Sequence, residues 1–172
     1  MRNYLVTGNW KMHGNLVANA ELLQGVKDGV ANGVSSEVAV CVPYPYLAQV
    51  QGELQGSGIA WGAQDVSEYA QGAYTGEVSA LMLRDFSCGY VIVGHSERRA
   101  LFSDTDSVVA AKFKAAQSAG LVPILCVGET LAEREAGQTK SIVSRQLAAV
   151  TDLVGVAALS AAVVAYEPVW AI

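Results

Sequence analysis

Short apolar runs rich in β-branched residues alternate along the chain with longer stretches whose apolar residues recur at helical spacing. Some runs, such as residues 38–42 and 91–93, are apolar at every position, which is typical of parallel strands covered by helices. The pattern predicts strands at residues 4–8, 37–42, 59–64, 89–93, 122–127 and 162–166. It predicts helices at residues 16–31, 46–55, 78–85, 104–118 and 140–153.

The regular alternation of strand and helix narrows the fold to two α/β architectures, a doubly wound open sheet and a (β/α)₈ barrel. The predicted strands begin about 32 residues apart, and a barrel of about 250 residues has units of roughly 31 residues. Neither G-x-G-x-x-G after the first strand nor G-x-x-x-x-G-K-[ST] is present, which counts against a nucleotide-binding open sheet. We therefore expect one incomplete domain over residues 1–172, covering about the first six β/α units of a barrel.

Composition and charge restrict the classes of binding partner and the cellular compartment that we expect for this chain. The net charge is −5 with 52% hydrophobic and 16% charged residues, which suits a globular domain and argues against nucleic-acid binding. No uncharged apolar stretch of about 18 residues occurs and no signal-peptide pattern opens the chain, so we expect a cytoplasmic protein without membrane contact. Cys41, Cys88 and Cys126 lack ligand spacing and are expected to be reduced and buried, without a disulfide or a metal.

Polar residues directly follow three of the predicted strands. Asn9 and Lys11 come after the first strand, His95 and Glu97 after the fourth, and Glu167 after the sixth. Functional groups of α/β proteins collect at the carboxyl ends of their parallel strands, so we expect these five side chains to share one site. Taken singly, each also fits a plainer role as a turn residue, a surface charge or a structural histidine.

The types of these residues suit proton abstraction next to a carbonyl, through an enediolate. Glu167 precedes Pro168, which disfavours helix at Glu167, and a carboxylate there could act as general base. His95 precedes a helix start with Ser96 as candidate cap, and helix-end amides would disfavour the imidazolium form. Lys11 could hold an anionic substrate and offset developing negative charge.

Three other basic side chains near these residues are assigned structural or surface roles and no catalytic one. Arg98 and Arg99 are expected to form structural salt bridges. His13 is expected to lie in a surface loop.

Several long motifs, in the same order, resemble the triosephosphate isomerase family over nearly the whole chain. They are Asn9-Trp10-Lys11, Gly62-Ala63-Gln64-Asp65, Gly72-Ala73-Tyr74-Thr75-Gly76-Glu77, Gly94-His95-Ser96-Glu97-Arg98-Arg99, Cys126-Val127-Gly128-Glu129-Thr130 and Ala165-Tyr166-Glu167-Pro168-Val169-Trp170. The resemblance implies a TIM barrel that interconverts dihydroxyacetone phosphate and D-glyceraldehyde 3-phosphate in glycolysis and gluconeogenesis. It implies no cofactor and no metal.

The resemblance also implies roles for single residues. Glu167 would be the base that shuttles the proton, His95 would polarise the carbonyl oxygens while neutral, and Lys11 would bind substrate and stabilise the anion. Asn9 would support substrate binding, and Glu97 would tune the site from its edge. The family is homodimeric, and residues 64–79 resemble the arm that reaches into the partner subunit, with Thr75 at its tip.

Residues 168–172 resemble the beginning of the lid that closes over the substrate phosphate. The family continues with the rest of the lid and two further units, so we expect the isolated chain to be unstable and inactive. The chain could be one piece of a longer or cleaved protein, could need a complementary piece, or could be a deliberate truncation. An inactive fragment that assembles with another chain is therefore one alternative, and a barrel isomerase acting on a different sugar phosphate is another.

Overall fold

Six parallel strands lie side by side in one sheet, in the order in which they occur along the chain. The computed structural model describes residues 4–171, so Ile172, assigned above to the lid, lies outside the described residues. The strands are β1 (Leu5–Asn9), β2 (Glu37–Val42), β3 (Ala60–Ala63), β4 (Tyr90–Val93), β5 (Val122–Val127) and β6 (Val163–Tyr166).

Helices connect consecutive strands. They are α1 (Leu16–Val30), α2 (Leu47–Leu54), α3 (Ala80–Asp85), α4 (Ser96–Leu101), α5 (Asp106–Ser118), α6 (Leu131–Glu135) and α7 (Thr139–Val154), with 3₁₀ turns at Tyr44–Tyr46, Val156–Ala161 and Val169–Ala171. Polar caps fix several helix starts: Asn15 accepts hydrogen bonds from two backbone amides of α1, and Thr130 and Glu133 form a capping box on α6. No helix within residues 4–171 is long and apolar enough to span a bilayer.

The strand order decides between the two predicted architectures. A doubly wound sheet reverses its strand order at a switch point, whereas this sheet runs from β1 to β6 without reversal. Neighbouring strands are parallel throughout, from Leu5 opposite Glu37 to Val127 opposite Tyr166. The chain therefore forms six consecutive β/α units of a (β/α)₈ barrel, as predicted.

The two faces of the sheet bury different clusters. Along β2, Val40 and Val42 point into a large core between the sheet and the helices, while Cys41 points to the other face. On that inner face Cys41 packs with Ile92, Ile124 and Cys126 in a small second cluster. The inner face corresponds to the barrel interior, and its strand ends carry the polar residues described next.

Candidate active site

Lys11 is held in a left-handed backbone conformation directly after β1. Its φ is 52°, a value that a residue with a side chain seldom adopts. The Lys11 amide donates to Oδ1 of Asn9 at 3.0 Å, and the Lys11 carbonyl accepts from Nε2 of Gln64 at 2.9 Å. The same Gln64 nitrogen donates to the Cys41 carbonyl at 3.1 Å. Gln64 and Asn9 thus fix the turn that carries the lysine, and no role for Gln64 was predicted from the sequence.

The ammonium group of Lys11 forms an ion pair with Glu97, the second residue of α4. Nζ of Lys11 lies 2.8 Å from Oε1 of Glu97. The hydrogen bond to Glu97 raises the pKa of Lys11, and the negative charge of Glu167 acts in the same direction. The same hydrogen bond lowers the pKa of Glu97. Both groups are therefore charged near neutral pH.

His95 is nearly buried and caps α4, which corrects the prediction that Ser96 is the cap. Its Nδ1 accepts a hydrogen bond from the Glu97 amide at 3.2 Å, because the ring folds back over the helix start while Ser96 is already the first helical residue. An Nδ1 that accepts a hydrogen bond carries no proton, so a neutral ring holds its proton on Nε2. This tautomer can donate a hydrogen bond to a substrate oxygen.

Glu167 follows β6 and is anchored through its backbone. Its amide donates to the Val127 carbonyl at 2.9 Å, and its own carbonyl lies against Gly128, where a Cβ would overlap it. Its side chain is exposed, and among residues 4–171 no cation forms an ion pair with it. A fixed backbone with an unpaired carboxylate suits a general base.

Two adjoining cavities contain the predicted site residues. One, of about 200 Å³, is lined by Asn9, Lys11, His95 and Glu97. The other, of about 330 Å³, is lined by Glu167 together with Gly94 and Ser96, the residues on either side of His95. The structure thus brings four of the five predicted residues into one cavity and places Glu167 in the cavity beside it.

Glu129 is a fully buried carboxylate whose contacts the sequence analysis did not predict. It accepts hydrogen bonds from the Tyr166 hydroxyl at 3.1 Å and from Nε1 of Trp170 at 3.2 Å, and its carbonyl accepts from the Val169 amide. Burial works to raise the pKa of Glu129, but hydrogen bonds led by that of Trp170 outweigh it and lower the pKa. The sequence indicated Glu129 only as an acidic residue soon after the fifth predicted strand, within the motif that runs from Cys126 to Thr130.

Arg98 and Arg99 form ion pairs, as predicted. Arg98 joins a buried network in which its guanidinium and Nζ of Lys112 lie within 3.0 Å of the carboxylates of Asp65 and Asp104. Burial raises the pKa of Asp65, although its hydrogen bond with Lys112 works in the opposite direction. The network ties the segments after β3 and β4 to α5.

The loop after β3 forms a closed and internally stacked arm. The Ser67 amide donates to the Val78 carbonyl at 2.8 Å and closes its base. The rings of Tyr69 and Tyr74 stack with their centroids 3.9 Å apart and their planes 3° from parallel. Thr75, next to this stack, is exposed.

The cysteines offer no nucleophile to this site. All three are buried, as predicted, and carry free thiols. Burial raises the pKa of Cys41 and of Cys126 to about 12, and that of Cys88 to about 11. Within residues 4–171, no group of three His, Cys, Asp or Glu side chains is placed to hold a metal ion.

A sequentially ordered parallel sheet with polar side chains gathered at its carboxyl edge defines the class of (β/α)₈-barrel enzymes, whose active sites lie at that edge. Within this class, the chain belongs to the triosephosphate isomerase family, whose family model matches residues 4–172.

Individual relatives agree with this assignment. The chain is 66% identical over all of its 172 residues to the triosephosphate isomerase of Dechloromonas aromatica and covers 69% of that protein. It is 64% identical to the triosephosphate isomerase of Thiobacillus denitrificans and covers 68% of it. The crystal structure of triosephosphate isomerase from Bartonella henselae superimposes with a TM-score of 0.90 at 37% identity, covering 98% of this chain and 69% of that one.

Proposed function

We propose that this chain supplies the catalytic residues of an isomerase that interconverts dihydroxyacetone phosphate and D-glyceraldehyde 3-phosphate, in glycolysis and gluconeogenesis. The observation that carries the proposal is the cavity that joins Lys11, Glu97 and His95, with Glu167 in the cavity beside it. The relatives from Dechloromonas aromatica and Thiobacillus denitrificans are triosephosphate isomerases, which supports the choice of substrate.

In the proposed mechanism, Glu167 removes a proton from the carbon next to the substrate carbonyl. The electron pair moves onto the carbonyl oxygen and leaves an enediolate, and protonated Glu167 returns the proton to the neighbouring carbon. The hydroxyl proton must also move from the oxygen that becomes the new carbonyl to the oxygen that becomes the new hydroxyl. Neutral His95 donates its Nε2 proton to the second oxygen and takes up the proton of the first; a neutral histidine in this role is already known for triosephosphate isomerase. The positive charge of Lys11 stabilises the enediolate electrostatically.

Asn9 and Glu97 act indirectly, through their hydrogen bonds with Lys11 and His95. Asn9 contributes to substrate binding by holding the Lys11 amide, and Glu97 pairs with the lysine while its own amide orients the His95 ring. The proposed reaction needs no cofactor and no metal, because the charge that develops is met by Lys11 and His95.

The activity test uses two proteins. One is the 172-residue chain itself, and the other is a chimera in which Ile172 is followed by the remaining segment of the Dechloromonas aromatica relative. Turnover of dihydroxyacetone phosphate is followed with a coupled assay. A folded chimera without turnover would overturn the proposed substrate and favour a different sugar phosphate.

Within the chimera, Glu167→Asp withdraws the carboxylate from its reactive position by one methylene. A misplacement of about 1 Å at a reacting group can cost roughly 10²-fold in rate, so we expect kcat to fall by about that factor with little change in KM. The matched control is Glu21→Asp, on the exposed surface of α1, which should leave both constants unchanged. An unchanged kcat in the Glu167 variant would show that another group is the base.

A second candidate role is assembly with further barrel units, because the outer strands of the sheet are exposed. Among the described strands, β1 pairs with β2 alone and β6 with β5 alone, and Val6, Val164 and Tyr166 are exposed on them. We propose that residues 1–172 are one incomplete domain that is inactive until further units close it. The 172-residue chain should gain turnover when it is refolded with the separately produced C-terminal segment of the Dechloromonas aromatica relative.

We further propose a cytoplasmic homodimer. The stacked arm that presents Thr75 suits insertion into a partner, and the cavity beside Lys11 is rimmed by the exposed apolar side chains of Met12 and Phe102. Three unpaired cysteines fit a reducing compartment. Sedimentation of the chimera should give the mass of two chains, and a monomer would contradict the proposed dimer.

A further inference from the structure

Arg99 is a largely buried residue of α4 whose contacts go beyond a structural ion pair. Its Nε donates to the Gly94 carbonyl at 2.7 Å, and its Nη2 donates to the Cys126 carbonyl at 3.4 Å. Its Nη1 pairs with Oδ1 of Asp106, the first residue of α5, at 2.6 Å. One planar guanidinium therefore contacts the ends of two strands and the start of a helix.

These contacts begin where the ladder between β4 and β5 ends. The last paired residues of the two strands are Val93 and Leu125. Gly94 and Cys126 are the next residues on each strand, and Arg99 bridges their carbonyls. The side chain thus joins the two strands at the point where backbone pairing stops.

The two bridged positions lead directly to the proposed catalytic residues. Gly94 precedes His95 in the chain, and Gly94 has a φ of 72°, so its backbone turns sharply there. On the other strand, the residues after Cys126 hold Glu167, since Val127 accepts its amide hydrogen bond and Gly128 packs on its carbonyl. A change in the distance between Gly94 and Cys126 would therefore change the distance between His95 and Glu167.

We propose that Arg99 is a positioning residue that sets the separation of His95 and Glu167 through the carbonyls of Gly94 and Cys126. This inference rests on the proposed function for its effect on rate, although its structural part is independent of any activity. Asp106 keeps the guanidinium in place and neutralises its charge, and it also pairs with Nε of Arg145 at 2.9 Å. Arg99 acts by geometry and does not touch the reacting atoms.

The test compares Arg99→Met and Arg99→Lys with the control Arg145→Met in the chimera. Arg145 is exposed and shares Asp106 with Arg99, so its loss removes an ion pair of the same carboxylate without freeing either strand end. We expect Arg99→Met to lower kcat per folded molecule by about 10²-fold with KM changed less than about threefold. Arg99→Lys should recover part of the loss, because an ammonium group can still reach one carbonyl.

Two readouts separate positioning from stability. With substrate deuterated at the transferred position, the isotope effect on kcat should increase in Arg99→Met, because proton transfer becomes slower relative to product release. A residue needed only for folding would lower the melting temperature and leave the isotope effect and kcat per folded molecule unchanged. If Arg99→Met does not fold, the same comparison is made with Arg99→Lys.

A third readout does not depend on turnover. The ring ¹⁵N resonances of His95, assigned by their loss in His95→Gln, should shift in the Arg99 variants and stay in place in Arg145→Met. An inactive chimera would defeat the proposed function, yet the shifted resonances would still support the role of Arg99. Unchanged His95 resonances in folded Arg99 variants would overturn it.

Discussion

Lys11 combines a strained backbone with a side chain held in an ion pair. Its left-handed φ is maintained by hydrogen bonds from both sides, one with Asn9 and one with Gln64. Strain of this kind persists where the surroundings fix it and is concentrated at functional sites. The result is an ammonium group directed at Glu97, beside His95.

Changing Glu97 to Gln should shift the pH dependence of the reaction. The hydrogen bond to ionised Glu97 is the main cause that raises the pKa of Lys11. Without the carboxylate, Lys11 loses its proton at a lower pH, so the alkaline limb of kcat/KM in the chimera should move to lower pH. Glu21→Gln, on the exposed face of α1, provides the control with an unchanged profile. A Glu97 variant with the original alkaline limb would show that Glu97 does not set the protonation of Lys11.

At the scale of elements, the ends of β5 and β6 are in direct contact through Gly128. A Cβ at this position would overlap the carbonyl of Glu167. The φ of Gly128 is not positive, so the requirement for glycine comes from the close approach of the backbones and not from an unusual dihedral angle.

Gly128→Ala should therefore separate the two strand ends and move Glu167. We expect kcat in the chimera to fall by about 10²-fold per folded molecule, together with a lower melting temperature. Gly62→Ala is the matched control, because its Cβ would overlap the carbonyl of Tyr90 at the amino end of β4, away from the site. That variant should lose stability and retain kcat. Equal losses of kcat in both variants would contradict a local effect on Glu167.

Elements with a readable period were predictable, and those without one were not. Every predicted strand lies within one residue of its observed bounds, because apolar runs mark buried parallel strands. Among the short helices, α3 lies within the predicted stretch 78–85, whereas only the start of α4 was indicated and α6 was not predicted. A helix of five or six residues spans fewer than two turns and shows little of the helical period by itself. Gln64 and Glu129 have roles created by contacts with distant segments, which no local pattern encodes.

At the scale of the whole molecule, the sheet separates a large outer core from a small inner cluster. Cys88 belongs to the outer core, between sheet and helices, while Cys41 and Cys126 belong to the inner cluster. The inner cluster lies on the face that the exposed strands β1 and β6 leave partly uncovered. Local opening requires less free energy where few apolar contacts are broken, so the inner face should open before the outer core.

Alkylation of the three thiols should reveal this order in the 172-residue chain. Burial raises the pKa of all three thiols, to about 12 for Cys41 and Cys126 and about 11 for Cys88, so reaction with iodoacetamide must follow opening. Thiolate content alone would make Cys88 react first, whereas opening of the inner face makes Cys41 and Cys126 react first. Peptide mapping by mass spectrometry gives the three alkylation rates. In the chimera, Cys41 and Cys126 should react more slowly than in the 172-residue chain, at rates closer to that of Cys88. Earlier labelling of Cys88, or equal rates in the 172-residue chain, would show that the inner face does not open before the outer core.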